Sequence, residues 1–115
     1  MFEYVDLYPT LANIFKLKNT PKYLEGKSFK NMLKNPNKPF RTTVTAVVNR
    51  SNKLGRMVKN EQWRYVEWDD AKMGVELYDQ KKDPTEYNNL ANDPTYKEVL
   101  NEMKKLIRRP TLSNK

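Results

Sequence analysis

A chain of 115 residues, of which 37% are hydrophobic and 31% charged, has the size and composition of one globular domain. It contains neither cysteine nor histidine, which excludes disulfide bonds, thiolate nucleophiles, histidine metal sites and Ser–His catalysis. No apolar run approaches the roughly 20 residues of a membrane span, and the opening MFEYVDLYPT lacks the basic and apolar regions of a signal peptide, so we expect no membrane contact and find no localisation signal.

The first predicted element is a helix that begins at Asp6 and runs to about Leu17. Aspartate is a common N-cap residue, and Pro9 is tolerated in the first helical turn. The apolar residues of this helix recur at helical spacing and form one side: Leu7, Leu11, Ile14 and Phe15. We expect this side to pack on another domain or, where it stays exposed, to favour self-association.

Positive charge is concentrated in residues 16–41. This segment holds eight basic residues and a single acidic one, Glu25, so it accounts for most of the net charge of +8. Two interpretations stay open. The segment is either a solvated surface of lysines or a docking surface for a polyanion such as nucleic acid or a sulfated or phosphorylated glycan.

A second, short helix is predicted within this basic segment. Ser28 can cap the stretch SFKNMLKN, and the turn NPNKP that follows stops the helix because proline disfavours helical conformation in the residue before it. We expect the apolar side chains of this helix to face inward: Phe29, Met32 and Leu33.

From Thr42 onward the hydrophobic period changes from helical to two. The stretches TTVTAVVNR, LGRMVKN, QWRYVEW and VELYD are rich in β-branched and aromatic residues and are separated by short polar connections. They predict four antiparallel strands in a meander. Alternation places Val66 and Trp68 on one face of the third strand, and Val75 and Leu77 on one face of the fourth.

Two Asp-Pro pairs, Asp83-Pro84 and Asp93-Pro94, follow the last strand. Aspartate accepts hydrogen bonds from the free N–H groups at the start of a helix, and proline suits the first helical position, so both pairs predict helix starts. After the second pair, apolar residues at helical spacing predict an amphipathic helix that lies across the sheet and ends at Pro110: Tyr96, Val99, Leu100, Met103, Leu106 and Ile107.

Together these elements predict an α+β fold, in which a four-stranded antiparallel sheet is covered by a C-terminal helix and preceded by N-terminal helical segments. We expect a helical segment with a basic loop in residues 1–41. The sheet and the final helix are expected in residues 42–109, and a frayed tail in residues 110–115.

The sequence shows no self-sufficient catalytic or metal site. The three glycines stand alone, so no phosphate-binding loop is present. Asp69-Asp70 is the one adjacent pair of carboxylates, and its place in a predicted hairpin turn favours solvated turn chemistry over metal binding. We therefore predict no catalytic residue and no metal ligand.

Four segments, in order, resemble the C-terminal part of type I sulfatases, and most of all the bacterial enzymes that are similar to iduronate 2-sulfatase. The segments are EYVDLYPTLANIFKL (3–17), PKYLEGKSFKNML (21–33), GRMVKNEQWRYVEW (55–68) and GVELYDQKKDPTEYNNLAND (74–93). The similarity extends over about residues 3–107, and its specificity comes from several independent motifs in the same order.

The resemblance implies the smaller part of a larger enzyme. In that family an N-terminal domain carries a formylglycine made from Cys or Ser in a C/S-x-P/A-x-R motif, an aspartate-rich calcium site and catalytic His and Lys residues. The smaller C-terminal part is a four-stranded sheet packed on a helix. This sequence has no C/S-x-P/A-x-R motif, no histidine and no aspartate-rich motif.

We therefore expect a supporting domain without cofactors or sulfatase activity of its own. Its implied partners are the N-terminal catalytic domain, which would hold the calcium and the formylglycine, and, in the parent enzyme, sulfated carbohydrate. Such parent enzymes are often periplasmic, secreted or lysosomal, and the sequence does not choose among these compartments.

The resemblance also places the sheet beside the mouth of the substrate cleft, with NEQWRYVEWDD at its edge. Arg64 can pair with a sulfate or a uronate carboxylate, Trp68 can stack on a sugar ring, and Arg56 can line a groove for a polyanion. In the alternative interpretation Arg64 is a solvated strand residue, and the core is filled by the strand's aromatic side chains, Trp63, Tyr65 and Trp68.

Other classes of function stay open beside this one. A small basic module would bind nucleic acid or sulfated glycan through residues 16–41, and its affinity for nucleic acid would fall steeply with salt. Such modules usually interleave aromatic and basic residues on the sheet, and the resemblance disfavours nucleic acid as the partner. An interaction subunit that completes an enzyme in trans is a third alternative.

Overall fold

The computed structural model describes residues 1–107. Its helices are a 3₁₀ helix at Tyr4–Asp6, α1 at Leu7–Phe15, α2 at Lys30–Lys34, a 3₁₀ helix at Pro94–Tyr96 and α3 at Lys97–Lys105. Its strands are β1 at Val44–Arg50, β2 at Lys53–Lys59, β3 at Trp63–Trp68 and β4 at Val75–Asp79. The predicted helix end at Pro110 and the predicted tail lie outside the described residues.

The chain divides into two compact units, Met1–Val44 and a second unit that begins at Thr45. The first unit contains α1 and α2, and the second contains almost the whole sheet together with α3. The predicted α+β class, with a four-stranded antiparallel sheet and helices on either side of it in the sequence, is confirmed.

The first unit is organised around Asp6, whose side chain has no solvent exposure. Its carboxylate accepts the backbone N–H of Glu3 at 2.9 Å and that of Lys27 at 2.8 Å. The Arg41 guanidinium also donates to both carboxylate oxygens, through Nε at 2.7 Å and through Nη2. One carboxylate therefore joins three parts of the unit that are distant in sequence, in a bidentate, charge-assisted arrangement.

The predicted role of Asp6 as the side-chain N-cap of the first helix is wrong. Helical structure begins earlier, at Tyr4, and the Asp6 side chain makes no capping hydrogen bond to α1. It reaches back to Glu3 instead, as the third residue of a capping box does. At the other end α1 stops at Phe15, before the predicted Leu17, because Lys16 adopts a left-handed conformation with φ 52°.

These contacts change the pKa of Asp6. Burial by itself would raise the pKa, but the hydrogen bonds from Arg41, Lys27 and Glu3 outweigh it and lower the pKa from 3.8 to about 2. Because the folded-state pKa lies below the unfolded value, the stabilisation is complete above pH 3.8 and is lost as the pH falls towards 2.

A second contact set ties α1 to the segment before α2. Thr10 Oγ1 donates to the Asp6 carbonyl at 2.6 Å and accepts the Phe29 N–H at 3.0 Å, in a fully buried position. Gly26 packs directly on the backbone near Asp6, since a Cβ there would lie 1.8 Å from the Val5 carbonyl oxygen. Only glycine permits this approach of the two chain segments.

The short helix α2 follows its prediction in part. Ser28 Oγ accepts the Lys30 N–H at 3.3 Å, and Phe29 is buried, with its ring centroid 4.9 Å from that of Phe2. The predicted inward position of Leu33 is wrong, because its side chain is 56% exposed. A helix of five residues offers one turn and a half, which is too little to bury a full apolar side.

The predicted apolar side of α1 is exposed. The side chains of Leu7, Leu11, Ile14 and Phe15 are between 37% and 68% exposed. Inside the unit, α1 instead buries the small residues Thr10 and Ala12. The large apolar side chains therefore remain available for a partner.

The sheet of the second unit is a meander in the strand order β1-β2-β3-β4. Tyr65 on β3 pairs with Val58 on β2 and with Leu77 on β4, and all three side chains are fully buried. Because side chains alternate along a strand, β3 places Tyr65 and its i±2 neighbours on one face and Arg64, Val66 and Trp68 on the other. We call these the helix-covered face and the second face.

Helix α3 lies on the helix-covered face. Met103 and Ile107 join Val58, Tyr65 and Leu77 in one buried cluster, and Tyr96, Val99 and Leu100 pack at its edge. The predicted amphipathic helix and its covering role are thereby confirmed. Leu106 differs from the expectation: it follows the last residue of α3, and its side chain is 43% exposed.

The two Asp-Pro pairs have different outcomes. Asp93 accepts the Thr95 N–H at 2.9 Å and begins the 3₁₀ helix that leads into α3, as predicted. The predicted helix at Asp83 is wrong, because Pro84 lies in a turn. The Asp83 carboxylate closes that turn by accepting the Asn88 N–H at 2.8 Å, a contact that lowers its pKa.

We predict that Asp6→Asn weakens the first unit. The substitution removes the bidentate carboxylate from the Arg41 guanidinium, which keeps only its longer ion pair with Glu3 at 3.5 Å, and breaking such a pair costs about 3 kcal/mol. Amide hydrogen exchange by NMR should show the Lys27 and Phe29 N–H groups exchanging on the order of 100-fold faster at neutral pH.

The matched control is Glu25→Gln, which removes an exposed carboxylate from the same unit. It should leave both exchange rates unchanged. Equal rates in Asp6→Asn and the unmodified chain would contradict the central role assigned to Asp6.

Candidate functional site

Trp68, the last residue of β3, is held in a fixed orientation on the second face. Its indole Nε1 donates to Glu76 Oε1 at 3.0 Å, and the other oxygen of Glu76 accepts the Tyr78 hydroxyl at 3.2 Å. The ring lies over Gly55, its partner across the β2–β3 ladder. A Cβ on Gly55 would come within 2.8 Å of the indole ring and 2.9 Å of Val48 Cγ1, so glycine makes room for the ring.

Two hairpin turns meet at the same end of the sheet as Trp68. In a meander the β1–β2 turn and the β3–β4 turn lie at one end, and the β2–β3 turn lies at the other. Between the first two turns is an open cavity of about 300 Å³. Its lining is Arg50, Ser51, Lys53, Trp68 and Met73.

Arg64 lies on the second face with Trp68, but its guanidinium is already engaged. It forms an ion pair with Glu86, whose carboxylate also accepts the Gln80 amide. The Gln80 side-chain oxygen in turn accepts a hydrogen bond from Lys59 Nζ. Lys59 lies opposite Arg64 in the β2–β3 ladder. The carboxylate and the amide therefore separate two neighbouring cations, and Arg64 fastens the loop after β4 to the sheet.

Tyr78 belongs to the same face. Its pKa is raised, first by burial, then by the charge of Glu76 and by its hydrogen bond to that carboxylate. The phenol therefore stays protonated and donates to Glu76, which keeps the acceptor of the Trp68 indole in place.

Arg56 lies on the helix-covered face, since its ladder partner is the buried Glu67. Its guanidinium forms an ion pair with Asp70 in the β3–β4 turn. The structure thus brings Arg64 and Trp68 onto one face and places Arg56 on the other. Asp70, half of the carboxylate pair considered above, fastens this turn to β2.

Sequence reasoning missed Arg50 and Lys53. Both stand next to the two-residue turn Ser51-Asn52, whose left-handed φ values of 49° and 63° are those of a tight hairpin. A sequence signal for them was available: two cations flank a two-residue turn between predicted strands. In a meander this turn lies at the same end of the sheet as Trp68, so Arg50 and Lys53 come close to the indole.

The basic segment 16–41 falls within the first unit. Arg41, one of its eight basic residues, is the partly buried partner of Asp6 and has a raised pKa because of that hydrogen bond. Lys30 Nζ donates to the Asn13 carbonyl at 3.2 Å. Some of the basic side chains in this segment therefore form contacts within the unit and are not free to bind a polyanion.

Within residues 1–107, the helices are all too short or too polar to cross a lipid bilayer. In the same part of the chain, no three carboxylate, histidine or cysteine side chains lie close enough together to hold a metal ion.

The fold and the motif order are those of the C-terminal part of sulfatases. Residues 1–112 match the family described as "N-sulphoglucosamine sulphohydrolase, C-terminal". The chain belongs to this family.

Individual relatives agree with this assignment. The Delta 4,5-hexuronate-2-O-sulfatase of Bacteroides thetaiotaomicron is 45% identical over 53 residues, which are 46% of this chain and 11% of that protein. A solved 2-O GAG sulfatase superposes with a TM-score of 0.75 at 33% identity, over 88% of this chain and 22% of that one. The phosphonate monoester hydrolase of Agrobacterium radiobacter shares the fold, with a TM-score of 0.66 at 23% identity over 87% of this chain and 23% of that one.

The chain therefore spans about a fifth of the length of these solved relatives.

We predict that Gly55→Ala displaces the Trp68 ring. The added methyl group overlaps the ring and Val48, and overpacking of this kind costs about 1–3 kcal/mol. In a Trp63→Phe background, where Trp68 is the only tryptophan, its fluorescence emission should shift and its near-ultraviolet circular dichroism should weaken.

The control is Val47→Ala, which shortens a side chain that is 63% exposed on β1. It should leave the Trp68 spectra unchanged. Identical spectra for Gly55→Ala and the unmodified chain would show that the ring does not lie on Gly55.

Proposed function

We propose that this chain is the non-catalytic C-terminal domain of a sulfatase that acts on sulfated sugars. The observation that carries the proposal is the family match over residues 1–112, combined with a fold that superposes on about a fifth of a 2-O GAG sulfatase. The domain supports the catalytic part of the enzyme and borders its substrate.

The use of the buried charged groups supports a structural role. The Asp6 carboxylate is paired with the Arg41 guanidinium. The Asp79 carboxylate accepts hydrogen bonds from the Gln62 side chain at 3.1 Å and from the Lys81 N–H at 3.0 Å. Burial alone would raise the pKa of Asp79, but these hydrogen bonds and that of Lys82 N–H outweigh it, so the pKa is lowered. A general acid at neutral pH needs the opposite shift.

The residues present do not supply the groups on which sulfatase chemistry depends. The chain has no C/S-x-P/A-x-R motif in which a formylglycine forms, and residues 1–107 contain no cluster of metal ligands. In this proposal both the formylglycine and the calcium belong to the catalytic domain.

The catalytic domain is the proposed partner of the exposed apolar side of α1. Four large apolar side chains on one helix would be unusual on a surface that meets only water. Packing against the rest of the enzyme would bury them. In the isolated chain the same side chains are expected to favour self-association.

We also propose Arg64, Trp68 and Arg56 as substrate contacts. They differ in whether an existing ion pair would have to break before substrate binds. Trp68 already lines an open cavity and is the direct candidate for stacking on a sugar ring. Arg64 and Arg56 would have to exchange Glu86 and Asp70 for a sulfate group before they could bind substrate.

We predict that the purified chain does not hydrolyse an aryl sulfate, while a chimera does. In the chimera, residues 1–107 replace the corresponding C-terminal part of the 2-O GAG sulfatase. The chimera should turn over substrate, because the fold that supports the catalytic part is restored. The same enzyme truncated before this part should be insoluble or inactive.

The intact 2-O GAG sulfatase is the positive control for turnover. Hydrolysis by the isolated chain would overturn the non-catalytic role. A truncated enzyme as soluble and active as the intact one would overturn the supporting role.

A further inference from the structure

We infer that the cavity between the two hairpin turns is a binding site for one anionic sugar residue, formed by Trp68, Arg50 and Lys53. The inference rests on the proposed function for the chemical class of the ligand, a sulfated saccharide. It goes beyond that function because it assigns the cations to Arg50 and Lys53, and because the site is complete in this chain.

The aromatic part of the site is a rigid platform. The hydrogen bond to Glu76 fixes the orientation of the indole ring. Because Gly55 has no side chain, the ring can lie against the sheet. An indole held in this way presents a flat apolar surface to the cavity without losing rotamer freedom on binding. Stacking of a ring on such a platform is worth about tenfold or more in affinity.

The cationic part of the site is unneutralised. Of the four arginines in residues 1–107, Arg41, Arg56 and Arg64 form ion pairs, and Arg50 does not. Lys53, on the other side of the same turn, likewise has no ion pair in the described part of the chain. Both side chains are exposed and line the cavity. A planar guanidinium and an ammonium so placed suit a sulfate or a carboxylate.

Nearby carboxylates are occupied by other partners. Glu76 accepts the Trp68 indole and the Tyr78 hydroxyl, and Asp70 pairs with Arg56 on the helix-covered side. Neither carboxylate forms a described ion pair with Arg50 or Lys53.

The size of the cavity favours a saccharide over a nucleic acid. A volume of about 300 Å³ is at the lower limit for small-ligand sites and suits a single ring with its substituents. A single-stranded nucleic acid is held instead by several stacking platforms along a basic groove. This cavity offers one platform and two cations.

The test is an NMR titration of the full chain with an unsaturated hexuronate disaccharide that carries a 2-O-sulfate. The Trp68 indole N–H and the Met73 methyl signals should shift and saturate, while the Trp63 indole signal stays in place. Arg50→Ala/Lys53→Ala should weaken binding at least tenfold, and Trp68→Ala should do the same. Both cations are exposed, so the double variant tests the site even if Trp68→Ala fails to fold.

The charge-matched control is Lys16→Ala/Lys18→Ala in the basic segment, which should change the affinity less than twofold. Shifts confined to residues 16–41, equal binding of a single-stranded DNA, or equal binding of an uncharged disaccharide would each overturn the inference. A chain that binds the disaccharide and also hydrolyses an aryl sulfate would sink the proposed non-catalytic function and leave this site standing. A chain that fails to bind leaves the domain assignment intact and removes the site.

Discussion

The two-sided burial of β3 is the constraint on which the second unit depends. Tyr65 stands at the centre of a row with Val58 and Leu77, and Met103 of α3 closes the row from above. Because successive side chains point to opposite faces, fixing Tyr65 under α3 also fixes Trp68 on the second face. A slip of one residue would reverse both, so the packing of the core and the position of the candidate site are set by the same register.

The first unit depends on a buried carboxylate rather than on a sheet. It has little regular structure, and Asp6 connects its segments through hydrogen bonds from Arg41, Lys27 and Glu3. The unit also contains the stacked rings of Phe2 and Phe29, but the large apolar side chains of α1 stay exposed. The family assignment proposes the catalytic domain as their partner.

The elements with strong periodicity were predictable, and those set by distant contacts were not. The four strands and α3 follow from alternation and from the Asp93 start signal, and the structure contains them. The Asp6–Arg41 pair spans 35 residues, so local capping rules assigned Asp6 to the wrong role. Trp68 was predicted as a candidate from the family resemblance. The Arg64–Glu86 pair could not be predicted from the sequence, because it joins a strand to a loop 22 residues away.

The most direct test of this account is a NOESY spectrum of the chain with isotope-labelled methionine methyl groups. The Met103 methyl group should show contacts to the Tyr65 ring and the Leu77 methyl groups, and the Met73 methyl group to the Trp68 indole. Contacts of Met103 with Trp68 would show that α3 packs on the second face. The absence of any contact between Met103 and Tyr65 would show that α3 does not cover the predicted face. The register and the candidate site that depends on it would then fail together.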